Sequence, residues 1–173
     1  RHLVLVSRSG APSQKSTDWE GLMSLPAIEV HTLRGSVDEP RNLVGRVLHQ
    51  HGTGPMRGVW HAAGVLADAL VAQQTPQRLR LVFAPKVAGA LLLHGTLHCT
   101  CLSTFSLYSS IAALFYSAAQ SNYAAANCCL DALVVSRRGV AHAALSVNWG
   151  PWAEVGMAAS GAINSRMKAQ GVG

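Results

Sequence analysis

The stretch FSLYSSIAALFYSAAQSNYAAANCCLDAL, Phe105 to Leu133, decides how this chain reads. It opens on an apolar, β-prone run, Phe105 to Tyr108, that ends in Ser109-Ser110. Such a run fits a buried parallel strand delivering a hydroxyl at its carboxyl end. A loop of small residues follows, then alanine-rich helix-forming sequence from Ser121 to Arg138. Tyr123 and Asn127 stand four apart near the start of that helix, so they share one face. A tyrosine there could serve only as a core residue with its hydroxyl at the rim. The combination with a serine-tipped strand argues for chemistry instead.

Working outward, His2–Ser7, Ile28–Leu33, Val59–Ala62 and Ala141–Val147 read as further strands. Between them, Ala11–Ser24, Glu39–Gln50, Ala67–Gln73 and Pro76–Leu97 read as helical, with Pro76 suited to a first turn. Strands alternating with helices imply an α/β fold, a doubly wound parallel sheet with right-handed crossovers. In such a sheet the carboxyl ends of strands border the ligand crevice. Arg8 follows Ser7 there, and its fork of donors suits a phosphate. Ala62, Ala63 and Gly64 would let a nucleotide approach the backbone. Asn148-Trp149-Gly150-Pro151-Trp152 reads as a rigid loop at another strand end. Lys86, amid Val82, Phe83, Val87 and Leu91, must either snorkel or meet an anionic or polar partner.

The 173 residues are 49% hydrophobic and 13% charged, enough for one substantial core and one domain over 1–173. Net charge is +6, but the basic residues are dispersed and aromatics make up only 6%, so nucleic acid is not the expected partner. An anionic small ligand or an acidic partner protein accounts for the charge as well. Val87 to Leu130 contains no Asp, Glu, Lys or Arg, yet its many Ser, Thr, His, Asn and Gln residues do not suit a membrane span. No signal peptide is visible, and a cytoplasmic location is expected. Cys99, Cys101 and the adjacent Cys128-Cys129 match neither a zinc site nor a disulfide framework. Buried reduced thiols and no metal are expected.

Ser110, Tyr123-Ala-Ala-Ala-Asn127 and Leu130-Asp-Ala-Leu133 resemble the ketoreductase domain of modular polyketide synthases and, less closely, that of animal-type fatty acid synthases. Both belong to the Rossmann-like short-chain dehydrogenase/reductase superfamily. HLVLVSRSG, GVWHAAGVLADAL, APKVAGALLLH and NWGPWAEVGM extend the resemblance, in the family's order, over nearly the whole chain. It implies NADPH-dependent reduction of a β-ketoacyl thioester, carried on the phosphopantetheine of an acyl carrier protein, among other domains of a multidomain synthase. Tyr123 would be the proton donor, Lys86 the charge beside it and a ligand of the nicotinamide ribose, and Ser110 the partner of the substrate carbonyl. Asn127 would hold a proton-relay water or orient Lys86. A free phenol has a pKa near 10, and a nearby ammonium favours its ionised form, which is why such sites pair the two.

The resemblance further assigns Ser7 and Arg8 to the 2′-phosphate, and Ala62, Ala63, Gly64, Trp149, Gly150 and Pro151 to the cofactor. Asp68, Phe115 and Gln120 fall to the substrate. Asp68, with no tryptophan at position 115, favours the D-hydroxy product. Ser36-Val37 stands where the family usually has Asp-Val near the adenine. The glycine-rich turn GxGxxG is absent. Family members carry it just upstream of the segment matching Arg1, so the first strand and that turn are expected to be missing and these residues alone to be inactive. Ala113, Tyr116 and Ala119 replace glycines usual in the family, so the loop before Tyr123 is expected to take another path. Two other readings stay open: a non-catalytic ketoreductase-like scaffold, and a stand-alone short-chain dehydrogenase acting on a small metabolite.

Overall fold

β-Branched and leucine-rich runs form the strands, and each strand leads into a helix that returns the chain to begin the next. The computed structural model describes residues 2–10, 16–36, 40–51, 55–115 and 118–150. β1 (His2–Ser7) and β2 (Glu29–Arg34), linked through α1 (Thr17–Met23), pair in parallel from His2 opposite Glu29 to Ser7 opposite Arg34. After α2 (Pro40–His51), β3 (Gly58–His61), β4 (Thr104–Ser110) and β5 (Leu145–Trp149) form a second parallel sheet with β4 in the middle. The all-parallel, helix-linked layering is the Rossmann-like α/β class that the alternation predicts.

β4 is the axis of the core. Phe105 and Leu107 are wholly buried, and Leu93 and Leu97 of α4 (Gly89–Leu97) pack with them, as do Leu130, Leu133 and Val134 of α5 (Ser121–Gly139). A strand covered this completely needs no polar alternation, which is why its sequence is a nearly continuous apolar run. Beneath α5, the Arg137 guanidinium stacks 4.0 Å from the Phe105 ring centre and bonds the Ala143 carbonyl.

Four sequence expectations are corrected. The helix expected over Pro76–Leu97 is interrupted by a π turn at Ala84–Ala88, because Pro85 has no amide hydrogen to give. Ala67–Gln73 is not a helix; only Val71–Gln73 makes a 3₁₀ turn. Tertiary partners take the backbone groups that a helix would use. The Ala69 amide donates to the Ala119 carbonyl, while Asn122, Arg78 and Gln74 side chains donate to the Ala67, Asp68 and Ala69 carbonyls. The last strand begins at Leu145 rather than Ala141. Residues 141–142 close α5, with Ala141 at φ 58° and the His142 amide reaching back to the Arg137 carbonyl. The four cysteines are free but exposed, not buried, because their helix and loop positions face away from the β4 core. Among the described residues no helix is long and apolar enough to cross a membrane.

Candidate active site

Pro85 shapes the position of Lys86. Proline has no amide hydrogen and crowds the preceding turn, so an α-helix cannot pass through it undisturbed. Between α3 (Pro76–Phe83) and α4 the chain widens into one π turn, Ala84–Ala88. His61, at the end of β3, braces this turn with its Nε2 3.0 Å from the Lys86 carbonyl oxygen. Burial lowers the His61 pKa, favouring a neutral ring that can donate from Nε2. Lys86 is only 3% exposed. Its Nζ donates to the Tyr108 carbonyl at 2.9 Å and lies 5.3 Å from the centre of the Tyr123 ring. Burial pushes the ammonium pKa down to about 8, opposed by the Asp131 charge. A cation held in this way is available to a neighbouring phenol.

Tyr123, 9% exposed, packs with Val82 and Ala126 in a small cluster that Leu66, Phe83 and Val87 border. Asn127 is fully buried one turn on, its Nδ2 donating to the Tyr123 carbonyl at 2.9 Å. Its Oδ1 is buried, and among the described residues no donor is directed at it. A buried acceptor without a partner costs stability, so the position favours something other than folding. Ser110 ends β4, where its Oγ accepts from the Ala112 amide at 3.2 Å and caps the 3₁₀ turn Ile111–Ala113. Among the described residues no hydrogen bond joins Ser110 to Tyr123. The fold thus brings Lys86 to Tyr123 and sets Asn127 beneath it, while Ser110 is engaged by its own loop.

The expected substrate residues divide. Gln120 is buried and its Nε2 reaches both Asp68 oxygens at 3.3 and 3.4 Å, so these two form one unit. Phe115 stands apart on the loop, 66% exposed. In that loop Ala119 adopts φ 64°, so an alanine bears a left-handed conformation costing roughly 1 kcal/mol. Tyr116 lies outside the described residues.

The expected cofactor residues lie at strand ends. Ser7 closes β1, its Oγ accepting from the Gly10 amide at 3.0 Å, and Arg8 is exposed beside it. Ala62, Ala63 and Gly64 follow β3, and Gly150 follows Trp149 at the end of β5. Among the described residues nothing lies within 4 Å of a side chain built at Gly150, and Trp149 lies against Tyr108 with ring centres 5.5 Å apart. Pro151 lies outside the described residues.

Sequence reasoning missed the bracing behind the site. Asp131, one turn after Asn127, accepts from Ser146 and from Asn148 Nδ2, which also reaches Ser109 Oγ and the Ser110 carbonyl, each at 3.2 Å. Asp131 thereby ties α5 to the ends of β4 and β5; the Leu130-Asp131 pair within the quoted stretch was its only sequence signal. Asp131→Ala is expected to cost about 1 kcal/mol by removing the half-buried Ser146 hydroxyl's acceptor and one of the three that Asn148 Nδ2 uses. Urea denaturation reads this, and an unchanged midpoint would refute the bracing role.

The KR domain family matches residues 1–154. Polyketide synthase GfsE of Streptomyces halstedii is 42% identical over 158 residues, covering 89% of this chain and 4% of the relative. The 6-methylsalicylic acid synthase of Aspergillus terreus is 34% identical over 192 residues, covering 99% of this chain and 10% of the relative. A solved structure described as an A-type ketoreductase from a modular polyketide synthase superposes with TM-score 0.88 at 36% identity, covering 98% of this chain and 36% of that one. The chain therefore spans a small fraction of its curated relatives, and by sequence and fold alike it belongs to the ketoreductase (KR) domain family of polyketide synthases.

Proposed function

We propose that residues 1–173 are part of one catalytic domain that reduces a β-ketoacyl thioester to its β-hydroxyacyl form, using NADPH, with the substrate carried on an acyl carrier protein within a multidomain synthase. The observation that carries this reading is the buried Lys86 ammonium, 5.3 Å from the Tyr123 ring and braced by a π turn and His61. A scaffold has no need of a cation buried at a cost.

The residues present fit a nicotinamide dinucleotide in part. Arg8 offers a fork for the 2′-phosphate, Ala62 to Gly64 offer close backbone approach, and Asn127, bonded to the Tyr123 carbonyl, has an Oδ1 to offer. The 173 residues contain no glycine-rich turn to cradle the pyrophosphate, so this chain alone is expected to bind NADPH weakly and turn over negligibly. When bound, the nicotinamide supplies the hydride. Tyr123 gives its phenolic proton to the oxygen of the reduced carbonyl, and Lys86 stabilises the phenolate that remains. Ser110 turns its hydroxyl from the Ala112 amide to the substrate carbonyl. Asn127 Oδ1 accepts from a relay water or from Lys86 as the proton is replaced. The Asp68–Gln120 pair faces the acyl chain. The basic surface suits an acidic carrier protein.

The test is reduction of a β-ketoacyl thioester, offered on a carrier protein and as a free small ketone, by the synthase that contains this domain. A preference for the carried substrate supports the proposal; turnover of small ketones alone favours the stand-alone reading, and none at all favours a scaffold. Chiral chromatography of the product reads its hand, with the D-hydroxy form expected and a dominant L-hydroxy form overturning that expectation. Arg8→Ala should weaken NADPH by roughly tenfold or more and leave NADH nearly unchanged, as expected for loss of a charge-assisted bond to the 2′-phosphate. An unchanged cofactor ratio would remove Arg8 from that role.

A further inference from the structure

We propose that His2, Glu29 and His31 form a divalent-cation site of the zinc class at the amino-terminal end of the β1–β2 pair. The parallel register sets His2 opposite Glu29, and His31 follows Glu29 by two, on the same face of β2. His2 Nδ1 lies 3.2 Å from Glu29 Oε2, His31 Nε2 lies 3.3 Å from Glu29 Oε1, and the two ring nitrogens are 3.4 Å apart. One ligand atom from each residue can be chosen so that all three lie within 4.8 Å of one another.

Those separations are the point. A tetrahedral ion with bonds of about 2.0–2.1 Å requires ligand atoms about 3.3–3.4 Å apart. The ring–ring and ring–carboxylate distances already match that edge. The two imidazoles are stacked, with centres 5.7 Å apart and planes 18° from parallel, so little rearrangement is needed. Protons can hold the same triangle if each ring donates an N–H to one carboxylate oxygen, but two N–H groups then face each other across 3.4 Å. A divalent ion replaces that opposition with attraction and outweighs the single carboxylate charge. Imidazole and carboxylate are the mixed donor set that zinc and its neighbours in the first transition row accept. Glu29 is 63% exposed, so an ion can reach its carboxylate from solvent.

The site lies at the opposite end of β1 from Ser7 and Arg8, with His2 five residues or roughly 17 Å from Ser7 at the strand rise of about 3.3 Å per residue. It is thus separate from the candidate active site. Two strands alone are marginal, so a metal clip at one end would hold the pair that carries Arg8 at the other.

The test is calorimetric titration of Zn²⁺ alone into the purified chain in a non-chelating buffer, with thermal unfolding as a second readout. One Zn²⁺ per chain and a raised Tm are expected. His31→Gln and Glu29→Gln should each weaken binding at least tenfold, since even outer-sphere changes cost about 10–100-fold. His2→Gln, at the strand's first residue, provides the same reading should either β2 variant fail to fold. Cys99→Ser/Cys101→Ser should bind Zn²⁺ as the parent does. No Zn²⁺ binding by the parent, binding that survives all three His and Glu variants, or binding lost only in the cysteine variant overturns the proposal.

Discussion

Replacing Lys86 by methionine is expected to raise folding stability at neutral pH by about 1–3 kcal/mol while abolishing reduction. The ammonium pKa falls from 10.5 to about 8, chiefly because burial penalises the charge. Between these two values the unfolded chain holds the lysine proton more firmly than the folded one does. Stability therefore rises with pH from about 8 to about 10.5, and below that window the penalty is complete. A displacement of this size corresponds to roughly 3 kcal/mol, less about 1 kcal/mol for the hydrogen bond to the Tyr108 carbonyl that methionine cannot make. Methionine keeps the apolar stem and fills the same space. Urea titrations of parent and variant, at neutral pH and again within the alkaline window, check both halves. A variant less stable than its parent at neutral pH, together with a parent whose stability does not rise in the window, would show that the buried charge is not a burden.

This cost explains why the site was only partly legible in the sequence. Tyr123 and Asn127 could be placed on one face from their spacing alone, because α5 obeys its helical period. Ser110 could be placed at a strand end from the apolar run before it. Lys86 could not be paired with Tyr123 by any local rule, since the two are separated by β4 and meet only when α3, the π turn and α5 pack together. The resemblance to a family suggested the pairing; the buried geometry supplies its physical basis. The sequence reads as one helix straight through Pro76–Leu97, whereas Pro85 interrupts it with a π turn that turns Lys86 inward. The failure over Ala67–Gln73 has the same origin. Good helix formers lost to tertiary hydrogen bonds from Asn122, Arg78 and Gln74, whose side chains come from outside the segment. The His2, Glu29 and His31 triangle was invisible for a simpler reason: its residues sit on two strands, and only their register brings them together.

Tyr123→Phe is expected to lower the rate of ketone reduction by about 10²–10⁴-fold, the range for losing a positioned proton donor. Substrate and cofactor binding should change little, because the lost proton matters only as charge develops on the carbonyl oxygen. Folding should also change little. Among the described residues nothing hydrogen-bonds the Tyr123 hydroxyl, while its ring keeps its contacts with Val82 and Ala126, so a shift within about 0.5 kcal/mol is expected. Ser110→Ala provides the contrast. That hydroxyl caps the turn through the Ala112 amide, so its loss should cost about 1 kcal/mol of stability as well as rate. A scaffold predicts the same stability effects, with Ser110→Ala detectable by unfolding and Tyr123→Phe silent, but no loss of rate from Tyr123→Phe, so the rate separates the two. Single-turnover reduction and denaturation of both variants, measured side by side in the synthase that contains the domain, separate the two accounts. If Tyr123→Phe retains the parent rate within a few fold, Tyr123 is a core residue and the proton must come from elsewhere.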